Sequence, residues 1–112
     1  MVPEMHLPGH SFTGPFTRLD LRLDKNDNPK PWSKPINQVD SQALIHDIAY
    51  RDHEDLPSRH NADRNMIEGI KNMKNPSFRE RMEGNLVSKI LTRKIKLGMG
   101  KKKRGAGIRR VK

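Results

Sequence analysis

The 112-residue chain sets 23 Lys and Arg against 13 Asp and Glu, a formal charge of +10, with hydrophobic and charged residues at 32% each. That apolar share supports at most one small domain. It offers no run of about 18 apolar residues to span a membrane, and the absence of cysteine excludes a disulfide scaffold or a thiolate metal site. The first twenty residues carry Pro3, Glu4, His6 and Pro8 where a signal peptide needs an apolar core. The charge is strongly polarised. Residues 1–88 hold 12 basic and 13 acidic side chains, whereas residues 89–112 hold 11 basic and none acidic. A polyanionic partner (nucleic acid, anionic lipid or an import receptor) is therefore expected for the C-terminal end alone.

Residues 1–36 show no helical repeat and read as ordered loop and turn. Leu19, Leu21 and Leu23 alternate over too short a stretch to require a strand, and Asn26-Asp27-Asn28-Pro29 reads as a surface turn. A helix is predicted from near Asn37, a capping residue, with Asp40 in the first turn where a carboxylate suits the exposed amides. Its apolar positions are Val39, Ala43, Ile45, Ile48 and Ala49, and it runs to about His53. Pro57-Ser58 opens a second helix with a narrow stripe of Ala62, Met66, Ile70 and Met73, stopped by Asn75-Pro76. A third begins at Ser77 or Phe78, with Phe78, Met82, Leu86, Ile90 and Leu91 as its stripe and Ile95 and Leu97 extending it. Gly84 weakens its interior by about 1 kcal/mol relative to Ala. That stripe is read as core. Lys89, Arg93, Lys94 and Lys96 flank it, which keeps a membrane-surface role open. From Gly98 the composition turns to Gly, Lys and Arg, so the chain divides into a domain over 1–97 and a flexible basic tail over 98–112.

The sharpest local feature is His46-Asp47-Ile48-Ala49-Tyr50 inside the first helix. His46 and Tyr50 stand four apart and share a face. Asp47 points about 100° away, toward a different volume. A polar trio among apolar positions is costly unless each group is bonded or used. If the first two helices run antiparallel, Asp63 reaches His46 and Tyr50 across the gap. A buried carboxylate would then fix the imidazole while its other nitrogen takes a proton from water. Asp47 would be free to hold a hard cation, aided by carbonyls from a tight loop, and Phe12-Thr13-Gly14-Pro15-Phe16 is the good candidate. His6, His10, His53 and His60 read as surface residues.

Leu7-Pro8-Gly9, Phe12-Thr13-Gly14-Pro15, His46-Asp47-Ile48-Ala49-Tyr50 and Ala62-Asp63 together resemble the phospholipase A2 domain of parvovirus minor capsid proteins, over a motif core of about residues 5–75. The resemblance implies a mostly helical fold, with two antiparallel helices carrying a His/Asp site, a calcium loop in front and an amphipathic helix behind. It implies calcium-dependent hydrolysis of the sn-2 ester of glycerophospholipids, with His46 as general base, Asp63 its partner and Tyr50 tied to Asp63. Asp47 would be the calcium carboxylate, and the carbonyls of Phe12, Gly14 and Phe16 the loop ligands. The Gly14 amide would sit in the oxyanion site. The family's loop carries Tyr where Phe12 stands and a second Gly where Phe16 stands. Phe16 would therefore weaken calcium binding if the backbone there needs a positive φ. In parvoviruses such a domain breaches host membranes during entry, so the resemblance implies a virion or host-cell setting, at endosomal membrane and with the nucleus open through the tail. Two other readings stand beside it: a basic nucleic-acid-binding or packaging protein, and a lipase fold that binds without turnover.

Overall fold

Three side-chain caps set the helix starts. In a computed structural model that describes residues 4–14 and 17–98, Asn37 accepts the Asp40 amide and starts α2, Gln38–Asp52. Asp55 accepts the Ser58 amide and starts α3, Leu56–Lys71, with Pro57 in its first turn. Ser77 and Glu80 form a reciprocal capping box at the head of α4, Phe78–Lys96. The only other α-helix among the described residues is the four-residue α1, Leu19–Arg22.

Residues 19–22, read as part of a loop, thus form one helical turn, and only Leu23 is extended. The turn is followed by an isolated bridge between Leu23 and Pro29 and a 3-10 turn at Pro31–Ser33. The intervening turn is as expected, with the Asp24 carboxylate accepting the amides of Asn26 and Asn28. Two helix boundaries move. α3 opens at Leu56, one residue before Pro57, and closes at Lys71, short of Asn75-Pro76.

α2 and α3 run antiparallel, as their cross-contacts demand. Gln42 meets Gly69, His46 meets Asp63, and the Tyr50 carbonyl accepts from Arg59. α4 lies across α3 and touches α2. Phe12, Leu23, Ala43, Met66, Ile70 and Leu91 form the buried cluster, with Leu44, Ile48, Ile67 and Val87 packed on it. Ile45, read as apolar face, is 61% exposed instead.

The larger correction concerns α4. Phe78, Met82, Leu86, Ile90 and Leu97 are all exposed, and Leu91 alone of that stripe is buried. The reason is geometric. Residues four apart drift about 40° per step, so 78, 82, 86 and 90 wind across the helix, whereas 80, 84, 87 and 91 stay on one face. The inward face is therefore Glu80, Gly84, Val87 and Leu91. Gly84 is the point of closest approach, because a Cβ there would lie 2.7 Å from Ile70 Cγ2.

Candidate functional site

The α2–α3 hairpin brings the polar residues of both helices to one place. His46 Nε2 lies 2.6 Å from Asp63 Oδ1, and the Tyr50 hydroxyl donates to the same carboxylate at 2.8 and 3.1 Å. The rings of His46 and Tyr50 stand 4.5 Å apart. Asp63 is fully buried. Burial opposes its charge, but the hydrogen bonds from His46 and Tyr50 and the nearby Lys94 ammonium outweigh it, so its carboxyl stays below the usual range. An ionised Asp63 accepts a hydrogen bond from Nε2–H, which leaves Nδ1 as the basic nitrogen. Nδ1 is 3.7 Å from Asp47 Oδ1, beyond hydrogen-bond reach. Burial pulls the imidazole pKa down, yet Asp47 and Asp63 together hold it above the ordinary histidine value.

Asp47 is the unsatisfied member. Its Oδ2 is buried with no hydrogen-bond partner among the described residues. Burial pushes its pKa up, against the smaller pull of His46 and Thr17. A buried carboxylate oxygen without a donor is expensive and invites a cation. Among the described residues no group of three or more His, Asp or Glu side chains gathers to hold a metal. An ion here would thus need backbone carbonyls, and Gly14 lines the same two cavities as Asp47. The carbonyls of Phe12 and Gly14 face the Thr17 hydroxyl at 3.5 and 3.2 Å. A carboxylate with carbonyl oxygens is the donor set that a hard cation takes. The further ligand read at Phe16 lies outside the described residues, as do Pro15 and all of the basic tail beyond Gly98.

Asp40 positions the loop, a role the capping argument missed. Wholly buried, it accepts the amides of Ser11, Phe12 and Thr13 at 2.7 to 3.0 Å, the Thr13 hydroxyl at 2.9 Å and the Ile36 amide at 3.2 Å. His10, expected at the surface, is buried between Thr13 and Glu83 at 2.8 Å from each, tying the loop to α4. His60 is buried as well. Gly14 has φ of 151°, and a Cβ there would lie 1.9 Å from the Met5 carbonyl oxygen, so no other residue fits.

Lys94 is the second residue that sequence reasoning left out of the site. Its ammonium sits 3.7 Å from Asp63 Oδ1 and 4.3 Å over the Tyr50 ring. Burial lowers its pKa against the pull of Asp63. Its three-residue and seven-residue spacing from Leu91 and Val87, which face inward, is the signal that could have found it.

Two cavities meet at these residues. One, of about 500 Å³, has walls of Phe12, Ala43, Met66, Val87 and Leu91. The other, of about 560 Å³, carries Thr17, Asp20, Tyr50 and Arg51. Gly14, His46, Asp47 and Lys94 line both. The imidazole and the unpartnered carboxylate therefore stand at the seam between an apolar chamber and a second cavity that also carries charged and hydroxyl side chains.

Comparison with curated proteins and with solved structures returns no match. The family model described as a phospholipase A2-like domain does match, over residues 3–94. That span is well over half of the chain, and the chain belongs to this parvovirus-type family of phospholipase A2-like domains.

Proposed function

We propose that the protein is a calcium-dependent phospholipase A2 that hydrolyses the sn-2 ester of glycerophospholipids. The observation that carries this reading is the seam, which puts the basic nitrogen of His46 where an amphiphile would have its acyl chain in one cavity and its polar end in the other. Asp63 orients His46, the Tyr50 hydroxyl holds Asp63, and Lys94 helps keep Asp63 ionised. His46 Nδ1 takes a proton from water, the water oxygen adds to the ester carbonyl, and the Gly14 amide faces the developing oxyanion. The same proton then passes from His46 to the departing glyceryl oxygen, giving a fatty acid and a lysophospholipid. Asp47 with the carbonyls of Phe12, Gly14 and Phe16 would hold calcium, which when bound supplies positive charge beside that oxyanion. The setting that goes with this reading is membrane breach during viral entry.

Fatty-acid release from phospholipid mixed micelles tests the reading, with calcium titrated against a chelator. His46→Ala and Asp63→Ala should each cost about 10²–10⁴-fold, and the double variant should be little worse than the weaker single, because the two act as a unit. Undiminished release by His46→Ala would overturn the mechanism. A second role is favoured by the charge of residues 89–112, whose 11 basic side chains face no acidic one in sequence. That segment would bind nucleic acid or an import receptor, and truncation after Leu97, which removes seven of those basic side chains, would then weaken salt-sensitive DNA binding while lipid hydrolysis survives.

A further inference from the structure

The outward face of α4 is apolar, cationic and continuous with the mouth of the apolar cavity. Phe78, Met82, Leu86 and Ile90 are 71, 57, 48 and 56% exposed. Leu86 and Ile90 also line the cavity, as does Met5, itself exposed. The patch is thus the rim of the chamber and its surroundings. Lys89, Arg93 and Lys96 fall on the same side of the helix as Phe78 and Met82, and all are exposed. The two carboxylates of α4 are both drawn inward. Glu80 is taken up by the amides of Ser77 and Gln38, and Glu83 by His10, Asn37 and Arg79. Residues 84–97 contain no acidic side chain at all. What faces outward is therefore positive charge set among large apolar groups.

We propose that this face of α4 docks on an anionic phospholipid bilayer, seating the cavity mouth on the lipid. The proposal rests on the lipolytic reading for its purpose but not for its geometry. The 19 residues of α4 span about 28 Å, and no helix among the described residues is long and apolar enough to cross a membrane. α4 would accordingly lie in the interface, with its apolar side chains among the acyl chains and its cations at the headgroups. A protein groove or a second copy could also cover apolar side chains. Neither accounts for the cavity opening through the same patch, nor for cations left without acidic neighbours on it.

Flotation of the full-length chain with vesicles of phosphatidylcholine, with and without phosphatidylserine, in chelator tests this. Phe78→Ser/Met82→Ser and Lys89→Glu/Arg93→Glu should each lower partition onto the mixed vesicles about tenfold or more. Both should keep their helicity and their hydrolysis of monomeric short-chain phospholipid. The basic tail is present throughout, so it cannot produce the difference. Because the chain has no cysteine, Met82→Cys takes a single environment-sensitive dye, whose emission should shift blue with vesicles and be quenched by brominated lipid. Wild-type partition by both variants, or a dye that stays in water, overturns the proposal. A dye buried by raising protein concentration without lipid also overturns it, in favour of a second copy. Docking as described without any monomer hydrolysis by the wild type would leave this surface standing and sink the lipolytic reading.

Discussion

Asp40 anchors the loop that the site depends on, through hydrogen bonds that are stronger when it is ionised. Burial favours its neutral form, but the amides of Ser11 and Phe12 and the Thr13 hydroxyl outweigh that and hold its pKa below the usual carboxylate value. The folded chain thus binds this proton more weakly than the unfolded chain. Its stabilisation is complete above the unfolded value of about 4 and drains as pH falls through the folded one. Glu4, held at about 2 chiefly by the Arg22 guanidinium, adds to the same slope. Thermal melts should therefore fall progressively below about pH 4. Asp40→Asn should cost about 2 kcal/mol at neutral pH and flatten that fall, and a melt series parallel to the wild type would reject the assignment. In sequence, Asp40 is a first-turn acid and nothing more, because its donors lie nearly thirty residues away. Spacing reports what is near along the chain. His46, Tyr50 and Asp63 were legible because a helical hairpin converts local spacing on two helices into contact. Lys94 was not, since its contact depends on which face α4 turns inward.

That choice of face is decided at the scale of elements. Counting apolar residues along α4 selects the 78–82–86–90 row, yet the helix packs on the side where Gly84 lets it close on Ile70 and where Glu80 and Glu83 find donors. Hydrophobicity identified a stripe without identifying its neighbour. In the exposed middle of a helix, Gly to Ala gains up to about 1 kcal/mol. At Gly84 the added methyl meets Ile70 at 2.7 Å and Met73 at 3.3 Å, and overpacking of this kind costs about 1–3 kcal/mol. Gly84→Ala should therefore lower the melting temperature, and Gly84→Ala with Ile70→Val should recover part of the loss. A stabilised single variant would show that α4 stands further from α3 than described.

For the whole molecule, the unpartnered Asp47 couples folding to cation binding. A buried carboxylate oxygen without a donor destabilises the metal-free fold. Asp47→Asn should hence melt no lower than the wild type in chelator. Calcium at ten times its dissociation constant should stabilise the wild type by about 1.4 kcal/mol, several degrees for a domain of this size, and leave Asp47→Asn unmoved. Equal shifts in both proteins would place the ion elsewhere.

The paired contacts of α2 and α3, Gln42 with Gly69, His46 with Asp63 and Tyr50 with Arg59, also work as a vernier. One turn of slip, about 5.4 Å, would bring Ile67 or Arg59 opposite His46 in place of Asp63. Either exchange leaves two intact helices and no acid–base pair. The chemistry therefore reads the register of the hairpin more finely than any helical signal does. On gentle heating, hydrolysis should fail while circular dichroism still reports a folded chain.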